Sequence, residues 1–207
     1  MFENNIDKLI EAISTQNIIL ISRLKNDYTV DNHHQTTAVF EFIPVKIIYH
    51  RGAFLIAGFL KSNTAEIVLY EISQLEEFTI RKEKFNLKDL SKTLNDELDN
   101  RFGITKNIDD KVYDIKLEFT NITGSLVRKY TWHHSQKFIL YEGNYIMTLK
   151  CGINRELLGW IFQWMYNVRI LEPQQLIDVY KNSLVEMQSN RNLHTALKYK
   201  NIFEPKL

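Results

Sequence analysis

A local cluster of basic side chains lies between residues 128 and 137 of this sequence. One guanidinium, two ammonium groups and two imidazoles come from Arg128, Lys129, His133, His134 and Lys137. Such a cluster can contact an anionic ligand or the phosphates of a nucleic acid. The alternative is a charged surface that contacts only solvent, which is the usual role of such a run.

The two histidines of this cluster do not predict a metal site. Adjacent residues in a strand point to opposite faces, so His133 and His134 cannot chelate one ion together. Cys151 is the single cysteine, which excludes an intrachain disulfide, and its alternating apolar surroundings are typical of a buried thiol. The sequence has no phosphate-binding glycine loop, Gly-x-Ser-x-Gly elbow or His-Glu-x-x-His motif. We therefore expect no catalytic residues, no metal, no cofactor and no enzymatic activity.

The composition is that of a folded protein without an overall preference for anions. Hydrophobic residues make up 44% and aromatic residues 12% of the chain, enough for one sizeable core or two small ones. The formal net charge is only +1, so any contact with nucleic acid must be local. The sequence has no run of about 18 apolar residues and no secretory signal at its start. We expect a cytoplasmic protein without a membrane partner.

The first half of the chain predicts one helix followed by five short strands. Apolar residues at three- and four-residue spacing, such as Ile6, Leu9 and Ile13, predict an amphipathic helix over 3–15. β-branched and alternating runs predict strands over 18–24, 39–48, 53–60, 66–75 and 77–82, with a polar loop over 26–35. This order is typical of a small β-barrel or a curled sheet.

The second half predicts a connecting helix and then alternating strands and helices. Regularly spaced leucines predict the helix over 87–101, with Asn86 as its cap. The elements that follow are predicted strands over 111–120, 135–141, 145–152 and 168–171, predicted helices over 124–130, 154–166 and 174–188, and a hairpin turn over 142–144. Trp160 and Trp164 stand four residues apart beside leucines, which is more typical of a core or a subunit contact than of a cofactor site. The order β-α-β-β-α-β is that of a ferredoxin-like domain.

The segment from Trp132 to Pro173 resembles the C-terminal half of WYL-domain transcriptional regulators. Trp-His-His-Ser-Gln is followed there by a strand pair, by the helix that holds Trp160 and Trp164, and by Val-Arg-Ile-Leu-Glu-Pro. No catalytic motif competes with this pattern.

Shorter segments extend the resemblance over about residues 3 to 188. Residues 44–59 resemble the family's segment P-x-x-I/L…G-x-W-Y-L-x-G-Y, in which Ala-Phe-Leu at 53–55 occupies the three positions that name the domain. Residues 70–75 resemble its strand F-x-L-D-R-I, but Gln74 stands where the family usually has arginine. Residues 99–104, Asp-Asn-Arg-Phe-Gly-Ile, are similar to the F-G-I linker before the family's C-terminal extension.

The resemblance implies an α+β fold with a small Sm/SH3-like β-barrel followed by a ferredoxin-like βαββαβ domain. The implied boundaries are an N-terminal helix over 1–16, the WYL barrel over 17–85, a helical linker over 86–110, the C-terminal extension over 111–190 and a tail over 191–207. Family members usually begin with a winged helix-turn-helix that binds DNA, whereas this sequence begins where the WYL domain would begin. We therefore expect DNA contact only through a winged-helix domain absent from this chain, which is then a fragment or a naturally truncated homologue.

The resemblance also implies an effector site on the barrel. WYL barrels are thought to bind a small or nucleotide-like ligand through arginine, histidine and aromatic side chains, because guanidinium groups hold phosphate in a fork and aromatic faces stack on bases. The matching residues are Lys46, Tyr49, His50, Arg51, Phe54, Tyr70 and Gln74. Gln74 in place of arginine removes a positive charge, so phosphate binding is weakened, or the ligand has changed or been lost. His50 and Arg51 alternatively form only a solvated turn.

Two functions follow from these interpretations. The first is the effector-sensing and dimerisation portion of a WYL-type transcriptional regulator, a homodimer that binds a small-molecule or nucleotide effector and transmits its presence to DNA-binding heads. The alternative is a stand-alone WYL protein that acts through protein–protein or single-stranded nucleic-acid contacts. In both cases Arg128, Lys129, His133 and Lys137 are the candidate contacts for an anion or a nucleic acid.

Overall fold

The computed structural model describes residues 2–24 and 39–189, which fall into two compact units. The first unit extends to Leu98, and the second begins at Asp99. Each unit contains one antiparallel sheet with helices packed on it, so the fold mixes α and β elements. Within the described ranges, no helix is both long enough and apolar enough to cross a membrane.

The first unit contains the predicted helix and the five predicted strands. Its elements are α1 (Phe2–Ser14), β1 (Asn17–Leu24), β2 (Phe40–His50), β3 (Ala53–Leu60), β4 (Asn63–Glu71), a 3₁₀ helix (Ile72–Gln74), β5 (Leu75–Lys84) and α2 (Leu87–Asp99). The predicted strand over 66–75 is wrong at its end, because the chain leaves the sheet at Glu71 to form the 3₁₀ helix. The predicted loop over 26–35 and the predicted tail over 191–207 lie outside the described residues.

The first sheet has the strand order β4-β3-β2-β1-β5, and all neighbours are antiparallel. The apolar stripe of α1 packs on one face of this sheet, and the shared core is made of Leu9, Ala12, Ile19, Ile21, Phe42, Ile56, Tyr70, Ile72, Leu75 and Phe78. On the opposite face Ile43, Leu55 and Phe59 are also buried. Interior strand β3 is therefore apolar on both faces, which explains its nearly continuous hydrophobic sequence.

The predicted cap of α2 is confirmed. The Asn86 side-chain oxygen accepts a hydrogen bond from the Lys88 backbone N–H at 3.1 Å, and the Asn86 amide donates to Asp89 at 2.7 Å. The first of these bonds satisfies a backbone donor that the first turn of a helix leaves without a partner. The helix therefore begins where the sequence predicts.

The second unit has the predicted element order β-α-β-β-α-β. Its elements are β6 (Tyr113–Phe119), α3 (Asn121–Val127), β7 (Lys137–Tyr141), β8 (Asn144–Cys151), α4 (Arg155–Phe162), a second 3₁₀ helix (Met165–Asn167), β9 (Val168–Glu172) and α5 (Gln174–Ser189). The sheet order is β7-β8-β6-β9, with antiparallel neighbours throughout. Glu142 and Gly143 form the tight turn between β7 and β8, and both have a positive φ (48° and 82°) as a type I′ turn requires.

Helix α3 lies three residues earlier than the sequence predicts. Gly124 is not at its start but in its middle, where the backbone packs against Tyr145 of β8. A Cβ at this position would lie 2.5 Å from the Tyr145 Cβ, so only glycine lets the helix approach the sheet this closely. The prediction took the glycine as a boundary, whereas it is a packing residue.

Helix α4 is shorter than predicted. It ends at Phe162, and Met165 adopts a positive φ of 51° in the 3₁₀ turn that follows. Its predicted cap is confirmed, because the Asn154 side-chain oxygen accepts from the Leu157 N–H at 3.0 Å. The core beneath this helix is formed by Phe102, Ile115, Leu117, Phe119, Val127, Met147, Leu149, Cys151, Ile153, Leu157, Leu158, Trp160, Ile161 and Leu176.

Candidate functional site

The turn between β2 and β3 presents an exposed pair of aromatic rings. Arg51 and Gly52 form a two-residue turn with φ values of 47° and 89°, as in a type I′ hairpin. Tyr49 and Phe54 stand opposite each other next to this turn, with ring centroids 5.0 Å apart. Their side chains are 65% and 39% exposed. The two rings therefore pack on each other, and part of each ring remains in contact with solvent. An exposed aromatic pair of this kind offers a surface on which a planar ligand can stack.

Gln74 lies at the same end of the sheet as this ring pair. Leu55 of β3 pairs with Glu71, the last residue of β4, and the 3₁₀ helix that contains Gln74 follows directly and contacts β3. Gln74 is half-buried. The tertiary structure therefore brings together parts of the site that lie about twenty residues apart in the sequence.

Tyr70 does not line this surface but forms part of the core beneath it. Its side chain is only 4% exposed, and its ring contacts those of Phe40 and Phe42 at centroid distances of 5.6 and 5.5 Å. Burial raises the pKa of the Tyr70 phenol to about 12, so the phenol keeps its proton at neutral pH. Tyr70 can support the sheet under the ring pair but does not face solvent.

Lys46 and His50 point to the face of β2 opposite Tyr49. Successive strand residues alternate in direction, and Lys46 and His50 pair with Ala57 and Ala53 while Tyr49 pairs with Phe54. The Lys46 ammonium donates a hydrogen bond to the Asn95 side chain of α2 at 2.9 Å. The seven candidate ligand residues are thus divided between a solvent-facing aromatic pair, the turn itself, the opposite face, the core and, for Gln74, the 3₁₀ helix after β4.

In the second unit, Arg128 follows the last residue of α3 and lies against the ring of Tyr145 in β8. Its guanidinium carbon is 5.2 Å from the ring centroid of Tyr145, which is the geometry of a cation–π contact. Arg128, Lys129 and Lys137 are exposed, so these three cations of the predicted cluster are accessible to solvent. Tyr145 was not among the predicted site residues, and its place in an ordinary apolar strand pattern held no signal for this contact.

His133 has a different environment from the other members of its cluster. Its side chain is 6% exposed, its Nε2 lies 3.1 Å from the Asp99 backbone oxygen, and its Nδ1 lies 2.8 Å from the Ser135 hydroxyl. The Ser135 N–H donates to Nδ1 as well, so Nδ1 is the acceptor and Nε2 carries the proton that goes to Asp99. Burial, with a smaller contribution from neighbouring His134, lowers the pKa of His133. The His133 ring is therefore neutral, and both of its nitrogens form hydrogen bonds within the protein.

The segment around His133 is held by one further side chain that the sequence did not single out. The Gln136 side-chain oxygen accepts from the N–H groups of Trp132 and His133 at 2.7 and 3.1 Å. Its amide donates to the Tyr130 backbone oxygen at 2.7 Å. Hydrogen bonds between its own residues thus hold the loop formed by the Trp-His-His-Ser-Gln motif.

The three tryptophans of the protein form one aromatic cluster. Trp132 lies 5.3 Å from Trp160 and 6.1 Å from Trp164, and the last two are 6.0 Å apart, measured between ring centroids. Phe119 contacts the rings of Trp160 and Trp164. The interpretation of Trp160 as a core residue is confirmed, because its side chain is buried in the second core.

The start of α4 anchors the Phe-Gly-Ile segment through two buried polar side chains. The Asn154 amide donates to the Phe102 and Thr105 backbone oxygens at 3.2 and 3.0 Å. The Glu156 carboxylate accepts from the N–H groups of Ile104 and Thr105 at 2.8 and 2.9 Å. The sequence indicated Asn154 as a cap but held no signal for Glu156, whose partners lie about fifty residues earlier in the chain.

A comparison with protein-family models finds no match, and a comparison with curated proteins finds none. In residues 2–24 and 39–189, no three potential metal ligands of the His, Cys, Asp or Glu type come together.

Two solved structures are similar to this chain. One is a CRISPR Cas-related protein, with 18% sequence identity, a TM-score of 0.52, and coverage of 90% of this chain and 52% of that chain. The other is the proteasome accessory factor B/C (PafBC) of Arthrobacter aurescens, with 15% identity, a TM-score of 0.34, and coverage of 91% of this chain and 28% of that chain. This chain therefore spans about half and about a quarter of the two proteins. The likeness to the CRISPR Cas-related protein shows a common fold for these two antiparallel sheets and their helices.

Proposed function

We propose that this chain is the effector-sensing and dimerisation portion of a WYL-type transcriptional regulator. The observation that carries the proposal is the exposed ring pair of Tyr49 and Phe54 beside a turn that holds Arg51. The resemblance of the sequence to WYL regulators and the fold shared with a CRISPR Cas-related protein support it.

The proposal also assigns a fold to each unit, an Sm/SH3-like barrel to the first and a ferredoxin-like domain to the second. Five strands in the order β4-β3-β2-β1-β5, with a 3₁₀ helix between β4 and β5, match an Sm/SH3-like barrel. The second sheet reads β9-β6-β8-β7, that is, the fourth, first, third and second strands of its unit, as in a ferredoxin-like domain. Both assignments agree with the arrangement implied by the sequence resemblance.

The proposed effector is a nucleotide or a short single-stranded oligonucleotide. A base stacks on the exposed faces of Tyr49 and Phe54, and the Arg51 guanidinium in the adjoining turn contacts a phosphate. Because Gln74 supplies no charge at this end of the sheet, binding depends more on stacking than on phosphate recognition. A ligand that prefers one arrangement of paired protomers then changes the arrangement of the attached DNA-binding heads.

A titration of the full chain with a fluorescein-labelled single-stranded oligonucleotide, followed by anisotropy, tests this proposal. Tyr49→Ala and Phe54→Ala are each expected to weaken binding by about 5- to 150-fold, since stacking contributes about 1–3 kcal/mol per base. Tyr166→Ala is the matched control, because Tyr166 is also an exposed tyrosine but belongs to the second unit. Native mass spectrometry of the protein as purified reports the subunit number and any retained ligand.

Two results would overturn the proposed site. The first is binding that Tyr49→Ala and Phe54→Ala leave unchanged. The second is the absence of binding by both oligonucleotides and mononucleotides at millimolar concentration.

The second candidate function is a stand-alone protein that binds single-stranded nucleic acid through the second unit. It is favoured by Arg128, which stacks on Tyr145 beside exposed Lys129. In that case Arg128→Ala and Lys129→Ala, rather than Tyr49→Ala, reduce oligonucleotide binding, and affinity falls steeply between low and physiological salt. The two candidates are thus separated by the unit in which substitutions act.

A further inference from the structure

Edge strand β7 of the second sheet leaves apolar side chains exposed on both faces. Ile139 is 59% exposed on one face, and Leu140 on the other face is also exposed. The strand Lys-Phe-Ile-Leu-Tyr carries one charge, at its first residue. Proteins commonly protect an edge strand with charges, proline or a bulge, because its unpaired backbone groups can pair with another strand. An apolar edge without such protection indicates a surface that another strand covers.

The other sheet edges in the described part of the chain carry such protection. β5 is highly charged, with the sequence Leu-Glu-Glu-Phe-Thr-Ile-Arg-Lys-Glu-Lys. The pairing of β9 with β6 is irregular between Lys116 and Leu117, and Pro173 follows the strand. The pairing of β4 with β3 is irregular near Leu60. β7, in contrast, pairs with β8 in unbroken register.

The hairpin turn determines which backbone groups of β7 face outward. Tyr141 and Asn144 flank the two-residue turn and form a hydrogen-bonded pair, and such pairs alternate with non-hydrogen-bonded pairs along an antiparallel ladder. Ile139 is therefore bonded to β8 like Tyr141. The N–H and C=O groups of Phe138 and Leu140 point away from β8 toward the open edge of the sheet.

We propose that β7 pairs with β7 of a second copy of this chain, antiparallel and about a twofold axis at Ile139. Phe138 of one copy then exchanges backbone hydrogen bonds with Leu140 of the other, and Ile139 packs against Ile139 of the second copy. The two four-stranded sheets become one continuous sheet.

Charge favours this partner and this direction. Antiparallel self-pairing about Ile139 places Lys137 opposite Tyr141 of the second copy, next to Glu142 in the turn, so opposite charges lie near each other at both ends of the interface. A parallel pairing would place Lys137 beside Lys137 of the second copy, where like charges repel. The strand is thus complementary to itself in one direction only.

The proposed function requires two protomers to pair, and this inference names the strand through which they do so. It rests on the proposed function only for the role of the dimer. Its test is sedimentation velocity of the full chain over a wide concentration range. We expect a reversible dimer whose dissociation constant rises at least about tenfold with Ile139→Lys, because two ammonium groups then meet at the axis and apolar burial is lost. Ile122→Lys is the control, because Ile122 is 78% exposed on α3 and lies outside the strand.

A second variant tests the register itself. A non-hydrogen-bonded antiparallel pair has Cα atoms about 4.5 Å apart, within the range that a disulfide spans. Ile139→Cys is therefore expected to form a covalent dimer under mild oxidation, whereas Ile122→Cys stays monomeric on a non-reducing gel. The native Cys151 is fully buried and does not compete.

The outcomes separate this inference from the proposed function. A dimer that Ile139→Lys dissociates and Ile139→Cys cross-links supports it. A dimer that neither variant affects overturns the β7 interface but leaves effector binding at the first unit untouched. A monomer at every concentration overturns both the interface and the dimerisation part of the proposed function.

Discussion

The Nε2 atom of His133 lies 3.1 Å from the backbone oxygen of Asp99, a residue 34 positions earlier in the chain. This hydrogen bond ties the loop before β7 to the first residue of the same unit, and the Ser135 hydroxyl holds the other ring nitrogen. Although His133 belongs to a basic run of the sequence, its side chain is buried and links two distant segments of the chain.

His133 is expected to make the stability of the second unit depend on pH. Its pKa is lowered by burial in the folded protein, so below about pH 6.5, its ordinary value, the unfolded chain binds more protons than the folded chain. The contribution of His133 to stability is therefore constant above that pH and falls as the pH decreases toward the lowered pKa of the folded state. Urea unfolding followed by tryptophan fluorescence measures this, because all three tryptophans lie in the second unit.

Histidine substitutions assign this pH dependence. His133→Ala is expected to destabilise the protein by about 1–3 kcal/mol at pH 8, since it leaves buried groups without partners, and to flatten the pH profile. His134→Ala is the adjacent control, because His134 is exposed and contributes only a smaller electrostatic effect. An unchanged pH profile in His133→Ala would assign the dependence to other groups.

Asn154 is expected to contribute more to stability than an ordinary helix cap. Asn154→Ala removes the cap of α4 and also the amide that donates to Phe102 and Thr105, so we expect a loss of about 2–4 kcal/mol. Asn154→Asp keeps the capping oxygen but loses the amide donors. Its stability should therefore lie between those of the wild type and Asn154→Ala. Chemical denaturation of the three proteins measures the order, and equal stability of Asn154→Asp and wild type would contradict the role of the amide.

The two glycines within helices are expected to respond oppositely to alanine. Gly124→Ala places a Cβ 2.5 Å from Tyr145 and should destabilise the protein by about 1–3 kcal/mol. Gly159→Ala meets nothing within 4 Å and should stabilise α4 by about 0.5–1 kcal/mol. Thermal unfolding of both variants provides the measurement, and a neutral or stabilising effect of Gly124→Ala would refute the close packing of α3.

The Cys151 thiol is expected to be unreactive in the folded protein. Burial raises its pKa to about 12, so almost no thiolate exists at pH 8, and the side chain is fully buried. Reaction with a thiol-specific disulfide reagent should therefore wait for unfolding and then reach one equivalent per chain. Rapid labelling under native conditions would show that the second unit opens readily.

Gln74 is expected to limit phosphate recognition at the proposed effector site. Gln74→Arg supplies a planar charged fork at the end of the sheet that holds Tyr49 and Phe54, so we expect a nucleotide to bind about tenfold more tightly. Gln74→Lys adds the charge without the fork and should gain less. Isothermal titration with the same nucleotide compares the three proteins, and no gain with arginine would place the phosphate elsewhere.

The sequence alone determined the elements whose signals are local. The spacing of Ile6, Leu9 and Ile13 predicted α1, and Asn86 and Asn154 marked two helix starts because a cap acts on the N–H groups within three residues of it. The order of strands and helices in both units followed from the same kind of pattern. Such signals are readable because period, cap and turn each involve only a few neighbouring residues.

Tertiary structure decided which of these residues share a surface. Tyr49 and Lys46 both belonged to the predicted ligand set, but strand alternation and sheet pairing place them on opposite faces. His133 and Arg128 belonged to one basic run, but only the first is buried, because its partner Asp99 comes from a distant element. Burial and partnership depend on chain segments far apart in sequence, so no local pattern of residues could specify them.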